Sequence, residues 1–294
     1  MVRFQGSIVA LVTPMLGNGA VDYQRFFKLI DWHITEKTDA IVVAGTTGES
    51  ATLSFDEHKN VIEEAVRYVQ KRIPVIAGTN GNATHEAIEL TQYAEKVGAD
   101  GALIVTPYYN RPTQEGLYQH FCTIAKAAAN LPIILYNVPS RTACDLANET
   151  VVRLSKIDNI IGLKDATGQI ARLSDLQPRL PADFTLLTGD DATALGFCAH
   201  GGHGVISVTA NVAPKLMRDF CQAMLENNLP QARAIFTNLF PLHQALFLEA
   251  NPIPVKWALA RMHKIDPYLR LPLTSLSERY HDIVERALKV AGCL

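Results

Sequence analysis

An apolar run, Ile160-Ile161-Gly162-Leu163, closes on Lys164 and turns at once into Asp165-Ala166-Thr167-Gly168. Uncharged residues before a turn read as a buried parallel strand. A lysine at the end of such a strand is partly stripped of water, which disfavours the ammonium and lowers the amine's pKa. The neutral amine is a nucleophile that forms a Schiff base with a carbonyl compound. The plainer alternatives are a lysine that reaches solvent along its stem or pairs with Asp165. Gly45-Thr46-Thr47-Gly48 offers hydroxyl and backbone N–H donors without a full charge, as a carboxylate or oxyanion cradle does; otherwise it is a turn. Tyr136 ends the run Ile133-Ile134-Leu135, and a buried phenol can relay protons or simply fill a core. Arg141 follows a proline turn, and its planar fork suits a carboxylate or a surface salt bridge. Taken together, these groups fit a 2-oxo acid handled through a covalent lysine adduct.

Such groups act together only if one scaffold gathers them. Candidate strands are Ser7–Val12, Ala40–Ala44, Ile73–Ala77, Gly101–Val105, Ile133–Tyr136, Ile160–Lys164, Phe184–Leu187 and Gly204–Val208. Their spacing is that of a strand plus a crossover helix. Between them, Phe55 to Arg72 opens with a Ser54/Glu57 capping box and sets Val61, Ile62, Ala65, Val66 and Val69 on one face. Thr84 to Val97 and Thr113 to Ala129 follow the same pattern. Eight such units predict an α/β fold of the (β/α)8 TIM barrel type. An open doubly wound sheet is disfavoured because no GxGxxG follows the first strand. From Asn228 onward, Pro230–Leu248, Pro254–Lys264 and Ser275–Val290 read as helices broken by Asn251-Pro252-Ile253-Pro254, Pro267 and Pro272. The expected organisation is a catalytic barrel over 1–227 and a small all-helical C-terminal domain over 228–294. Barrel chemistry sits at the carboxyl ends of the strands. Gly45–Ser50, Thr106–Tyr109, Asn137–Thr142 and Gly189-Asp190-Asp191 follow the second, fourth, fifth and seventh strands, while Tyr136 and Lys164 close the fifth and sixth. All of them fall at one mouth, which favours the reactive reading of Lys164.

The 294 residues are 48% hydrophobic and 19% charged, with a net charge of −2. That is ample material for a large core and no electrostatic footprint for nucleic acid or an anionic membrane. Small molecules or copies of the chain are the expected partners. The five cysteines, Cys122, Cys144, Cys198, Cys221 and Cys293, are too scattered for a disulfide framework or a structural zinc site, and point to a reducing compartment. Ile8–Val12 is too short for the core of a signal peptide. No window approaches the ~18 apolar residues of a membrane span. The expected location is the cytoplasm.

Three segments carry a resemblance: Gly45-Thr46-Thr47-Gly48-Glu49-Ser50, Tyr136-Asn137-Val138-Pro139-Ser140-Arg141-Thr142, and Gly162-Leu163-Lys164-Asp165-Ala166-Thr167-Gly168. In order and at strand ends, they resemble the dihydrodipicolinate synthase family of the pyruvate-dependent aldolases and lyases. The likeness extends to Asn251-Pro252-Ile253-Pro254-Val255-Lys256 near the C-terminus. It implies condensation of pyruvate with L-aspartate 4-semialdehyde, the committed step of diaminopimelate and L-lysine biosynthesis. It implies a Schiff base on Lys164, Tyr136 as central acid–base residue, and Thr46 and Thr47 on the pyruvate carboxylate, with Thr46 also passing protons. Tyr109 would enter the site of an adjacent subunit within a homotetramer, a dimer of dimers. Arg141 would hold the semialdehyde carboxylate, and Gly189 and Ile206 would line the pyruvate pocket. No metal or separate cofactor is implied, because the lysine–pyruvate iminium is the electron sink.

Some family members bind L-lysine as an inhibitor at a dimer interface. The matching positions are Ser50, Ala51, His58, Asn82, Glu86 and Tyr108, while Phe55 departs from the histidine that lysine-sensitive members often carry. A solvated helix face is the plainer reading of His58 and Glu86. Within the superfamily, the alternative activity is cleavage of N-acetylneuraminate or a 2-keto-3-deoxy sugar acid. Arg141 discriminates, since an acidic second substrate needs a cation there. A non-catalytic barrel sensing pyruvate or lysine is disfavoured by the joint presence of Lys164, Tyr136, Thr46 and Tyr109.

Overall fold

The computed structural model describes residues 4–294. Strands β1 Gly6–Ala10, β2 Ala40–Val43, β3 Val75–Gly78, β4 Gly101–Val105, β5 Ile133–Asn137, β6 Ile160–Asp165, β7 Thr185–Thr188 and β8 Gly204–Ser207 close in sequence order into a parallel barrel. Alternation along each strand makes two cores. Ile8, Ala10, Val42, Ile76, Leu103, Val105, Ile134, Leu187 and Ile206 fill the lumen. Val9, Ile41, Val43, Val75, Ile104, Ile133 and Leu135 pack outward against the helices. The TIM barrel that the sequence predicts is the observed fold.

The helices are α1 Tyr23–Thr35, α2 Phe55–Val69, α3 Thr84–Val97, α4 Gln114–Ala127, α5 Pro139–Thr142, α6 Asn148–Leu154, α7 Ile170–Leu176, α8 Ala194–Ala199, α9 Pro214–Leu225, α10 Leu229–Ala245, α11 Ile253–Arg261 and α12 His281–Val290. The expected capping box opens α2: Ser54 Oγ accepts from the Glu57 N–H, and the Glu57 carboxylate accepts from the Ser54 N–H. Pro214 begins α9, where a missing N–H costs no helical hydrogen bond.

Element ends differ from the sequence reading where a local partner intervenes. β3 starts at Val75, not Ile73, because Pro74 has no N–H for a ladder. The Val75 N–H goes instead to Asp100. β5 and β6 each run one residue further than expected, to Asn137 and Asp165. The last helix begins at His281 rather than Ser275, because Glu249 holds the Ser277 N–H and hydroxyl and keeps that residue extended.

The C-terminal helices are fastened to the barrel mouth. α10 packs on α9 and α12, and α11 on α12. Fully buried Lys256 of α11 forms an ion pair with Glu49 and donates to the Thr13 carbonyl at 3.0 Å. The Glu49 carboxylate also accepts from the Arg270 N–H at 3.1 Å. The Arg270 guanidinium in turn binds Glu57 and the Gly19 and Thr52 carbonyls. These contacts hold a loop whose Ala44 (φ 51°) and Glu49 (φ 56°) occupy the left-handed region, which is unfavourable without glycine.

Lys256→Met leaves the Glu49 carboxylate buried without its counter-charge. The expected loss is about 3–5 kcal/mol, read as a lower urea midpoint at unchanged slope. Adding Glu49→Gln removes the orphaned charge and is expected to restore part of the midpoint, the two sites being directly coupled.

Candidate active site

The β5–β6 ladder sets Tyr136 opposite Lys164. Lys164 Nζ stands 4.2 Å from the centre of the Tyr136 ring. Strand alternation turns the next residue, Asp165, to the other face. Its carboxylate there accepts from the Thr167 N–H at 2.8 Å and from Arg172 Nε at 2.9 Å. A Lys164–Asp165 pair is therefore not formed. Escape to solvent is also excluded, since Lys164 is only 6% exposed.

Gly189, just past β7, makes room for the lysine stem. A Cβ there would lie 2.6 Å from Lys164 Cε and 2.9 Å from Ala166 Cβ, inside the closest approach that packed carbons tolerate. Burial brings the Lys164 pKa from 10.5 down to about 7, with the Asp191 carboxylate opposing and the Arg141 guanidinium assisting. Near neutrality a large share of this amine is uncharged. Burial raises the pKa of Tyr136, while Arg141 and a hydrogen bond with Thr46 work against that rise. The phenol therefore stays protonated at neutral pH and stands ready to give or relay a proton.

Lys164, Tyr136, Thr46, Thr47, Arg141 and Gly189 share one cavity of about 390 Å³. Thr47 is 2% exposed, and its Oγ1 accepts from Asn251 Nδ2 at 2.9 Å. Arg141 Nη2 donates to the Asn251 carbonyl at 3.1 Å. Among the described residues Arg141 has no carboxylate partner, so its remaining donors are free for an anion. This is not the surface salt bridge that would be its plainer reading. The site can thus hold an acidic carbonyl compound at two points with an amine between them.

The other expected positions are distributed as follows. Tyr109 is 90% exposed with a left-handed backbone (φ 72°), and does not line the cavity of its own chain. Ile206 is fully buried in the lumen beneath the site, while Val208, further along the chain, reaches the cavity wall. Asn82 Nδ2 donates to the Tyr108 carbonyl at 3.4 Å. Burial and then the Glu86 carboxylate raise the Tyr108 phenol's pKa. Ser50 and Ala51 lie on the 3₁₀ turn Ser50–Thr52. His58 is not on a solvated face: it is buried, and its ring Nε2 donates to the Gly78 carbonyl at 2.6 Å. Cys144 is packed in the outer core.

Asn251 is a site residue that sequence reasoning passed over, as are Asn80, Phe247 and Ala250 of the cavity wall. The signals for Asn251 are a polar side chain within a proline-broken linker, read as a helix break, and its place at the head of the segment to which the family likeness extends. A wider cleft of about 740 Å³ opens beside Trp32 and Lys264, but none of the reactive groups lines it. Among the described residues, no group of three or more His, Cys, Asp or Glu is placed to hold a metal ion. Likewise no helix is long and apolar enough to cross a membrane.

A (β/α)8 barrel with a desolvated lysine among tyrosine, threonine and arginine at its carboxyl mouth defines a Schiff-base lyase. Residues 3–291 match the family described as the dihydrodipicolinate synthetase family. The chain is 59% identical over 289 residues to the 4-hydroxy-tetrahydrodipicolinate synthase of Nitrosomonas europaea, covering 98% of this chain and 99% of that protein. The chloride-inhibited dihydrodipicolinate synthase of Acinetobacter baumannii, solved with pyruvate, matches with a TM-score of 0.94 at 52% identity over 99% of each chain. The Cyanidioschyzon merolae enzyme, solved with lysine bound, matches with a TM-score of 0.95 at 38% identity over 100% of each chain. The chain belongs to the dihydrodipicolinate synthetase family.

Burying Lys164 has a consequence for stability. Its folded pKa of about 7 lies below its ordinary 10.5. Between those values the unfolded chain binds more protons, so this term makes stability rise with pH across that window. Lys164→Met removes the term. It is expected to stabilise the fold most at pH 7 and below, by at most on the order of 5 kcal/mol. The gain should shrink as pH rises toward about 10, as urea unfolding across that range will show.

Proposed function

We propose that this chain condenses pyruvate with L-aspartate 4-semialdehyde through a Lys164 Schiff base, giving 4-hydroxy-tetrahydrodipicolinate on the route to diaminopimelate and L-lysine. One observation carries the reading: an amine with a pKa of about 7, placed 4.2 Å from the Tyr136 ring, in a cavity that also presents Thr46, Thr47 and Arg141.

The neutral Nζ attacks the keto carbon of pyruvate while Thr47 and the Thr46–Gly48 turn hold its carboxylate. Tyr136, linked to Thr46, supplies the proton with which the carbinolamine oxygen leaves as water. The iminium acidifies the methyl carbon, whose proton passes to the Tyr136 oxygen deprotonated in the preceding step, and the enamine forms with the nitrogen as electron sink. That carbon attacks the aldehyde of the second substrate, whose carboxylate sits on Arg141. The new alkoxide takes a proton relayed through Tyr136. The substrate's own amine then adds to the iminium carbon and expels Lys164 Nζ, closing the ring and freeing the enzyme. Neither a metal nor a separate cofactor takes part in this scheme.

The exposed Tyr109 supports a role in the site of an adjacent subunit, and hence a homotetramer arranged as a dimer of dimers; the scattered free cysteines fit action in the cytoplasm. Asn82, Glu86 and Tyr108 form the nucleus of an L-lysine site with Ser50, Ala51 and His58 around it. That the Cyanidioschyzon merolae relative was solved with lysine bound supports lysine as the ligand. Phe55 lies under the Lys59 amine at 4.5 Å, so its ring face is already taken by a cation.

Borohydride added to the protein with pyruvate is expected to leave a reduced adduct at Lys164, seen by intact mass and peptide mapping. An unmodified protein, or an adduct at another lysine, overturns the mechanism. In the same preparation, faster turnover of N-acetylneuraminate or ketodeoxygluconate than of the semialdehyde overturns the substrate assignment. Tyr136→Phe should still trap pyruvate but turn over about 10²-fold or more slowly. Arg141→Ala should raise KM for the semialdehyde far more than KM for pyruvate.

A further inference from the structure

Asn251 lies outside the barrel strands, between α10 and α11, yet it forms part of the cavity wall and is 6% exposed. It touches both anion-holding groups at once. Its side-chain Nδ2 donates to Thr47 Oγ1 at 2.9 Å, and its backbone carbonyl accepts from Arg141 Nη2 at 3.1 Å. Thr47 belongs to the loop after β2 and Arg141 to α5 after β5, so Asn251 bridges the two.

The direction of the first bond matters. A threonine hydroxyl has one proton to give and two lone pairs to receive with. When Oγ1 receives an amide N–H, its own proton remains available for another acceptor. A carboxylate can only accept. A Thr47 that presented lone pairs to the cavity would repel such a ligand, whereas a Thr47 that presents its proton binds it. Among the described residues, the same amide orientation leaves Asn251 Oδ1 without a hydrogen-bond partner.

We propose that Asn251 is a positioning residue for substrate binding: its amide sets Thr47 as a donor toward the 2-oxo acid carboxylate, while its carbonyl fixes the angle of the Arg141 fork. The proposal rests on the pyruvate reading above. Side-chain replacement alters only the first arm, because the carbonyl remains. The two substrates should therefore respond differently.

Asn251→Asp is nearly isosteric but can only accept from Thr47, turning the hydroxyl proton away from the cavity. It should raise KM for pyruvate about tenfold or more, with KM for the semialdehyde changed by less than about twofold. The added charge could also repel pyruvate, so the decisive comparison is made in a Thr47→Val background. There the Asp substitution should add little, because the hydroxyl it acts through is gone. Asn251→Leu, neutral and of similar size, should raise KM for pyruvate to a smaller extent, again only when Thr47 is present. If the Asp variant fails to fold, by circular dichroism, the Leu cycle alone decides.

Three results overturn the proposal: an unchanged KM for pyruvate, equal changes in both KM values, or an undiminished effect in the Thr47→Val background. Failure of the parental protein to trap pyruvate with borohydride would instead sink the functional reading itself. A parental adduct combined with additive Asn251 effects would leave that reading intact and remove only the positioning role.

Discussion

Lys164 Nζ is held out of water, and most of what surrounds it follows from that constraint. Desolvation brings the amine's pKa to about 7, which separates an inert ammonium from a usable nucleophile. Keeping it there requires a strand position facing the lumen, a ring beside it and an empty volume for its stem. β6 supplies the first, Tyr136 the second, and the missing side chain of Gly189 the third. An acidic side chain directed at Nζ would undo the arrangement by drawing the amine back to its charged form; Asp190 lines the cavity, but its Oδ2 accepts from Thr193 Oγ1 at 2.6 Å. Asp165 is kept from doing so by pointing to the opposite face, where Thr167 and Arg172 hold it. Asp191 does oppose the shift. Its Oδ2, however, already receives the Val208 and Thr209 N–H groups, and the residue is fully buried.

The threonine and arginine side of the site has a different origin. Strand ends alone do not complete it. The loop after β2 turns sharply enough to put Ala44 and Glu49 in left-handed conformations, and Gly78 must lack a Cβ for Ala44's carbonyl to pass. The segments beyond the barrel hold that loop in place. Lys256 neutralises Glu49 inside the protein, Arg270 binds the loop's edge, and Asn251 reaches Thr47. The C-terminal helices thus act as a brace whose inner surface forms part of the mouth. Preorganisation of this sort would keep donors aimed at the proposed substrate carboxylate before it arrives.

Much of this was legible in the linear chain. Buried parallel strands need uninterrupted apolar runs, so the eight strands and their order stood out. Lys164 and Tyr136 stood out because a reactive polar group at the end of such a run is exceptional. Strand boundaries were less legible where a neighbour decides them: Asp100 takes the Val75 N–H, and Glu249 delays the last helix. His58 had the look of a solvated helix residue, because nothing local announces that Gly78's carbonyl will meet its ring.

The sequence by itself determined the barrel, the mouth at which its polar groups gather and the lysine proposed to carry the chemistry, because periodicity and strand ends are local properties of a chain. Only the tertiary structure decided that Asn251 would touch Thr47 across 204 residues and that Lys256 would neutralise Glu49 across 207. It also decided that Gly189 would be the gap into which Lys164 fits. Contacts at such separations arise when distant segments pack, and no spacing or composition in the chain encodes which atoms will then come within reach.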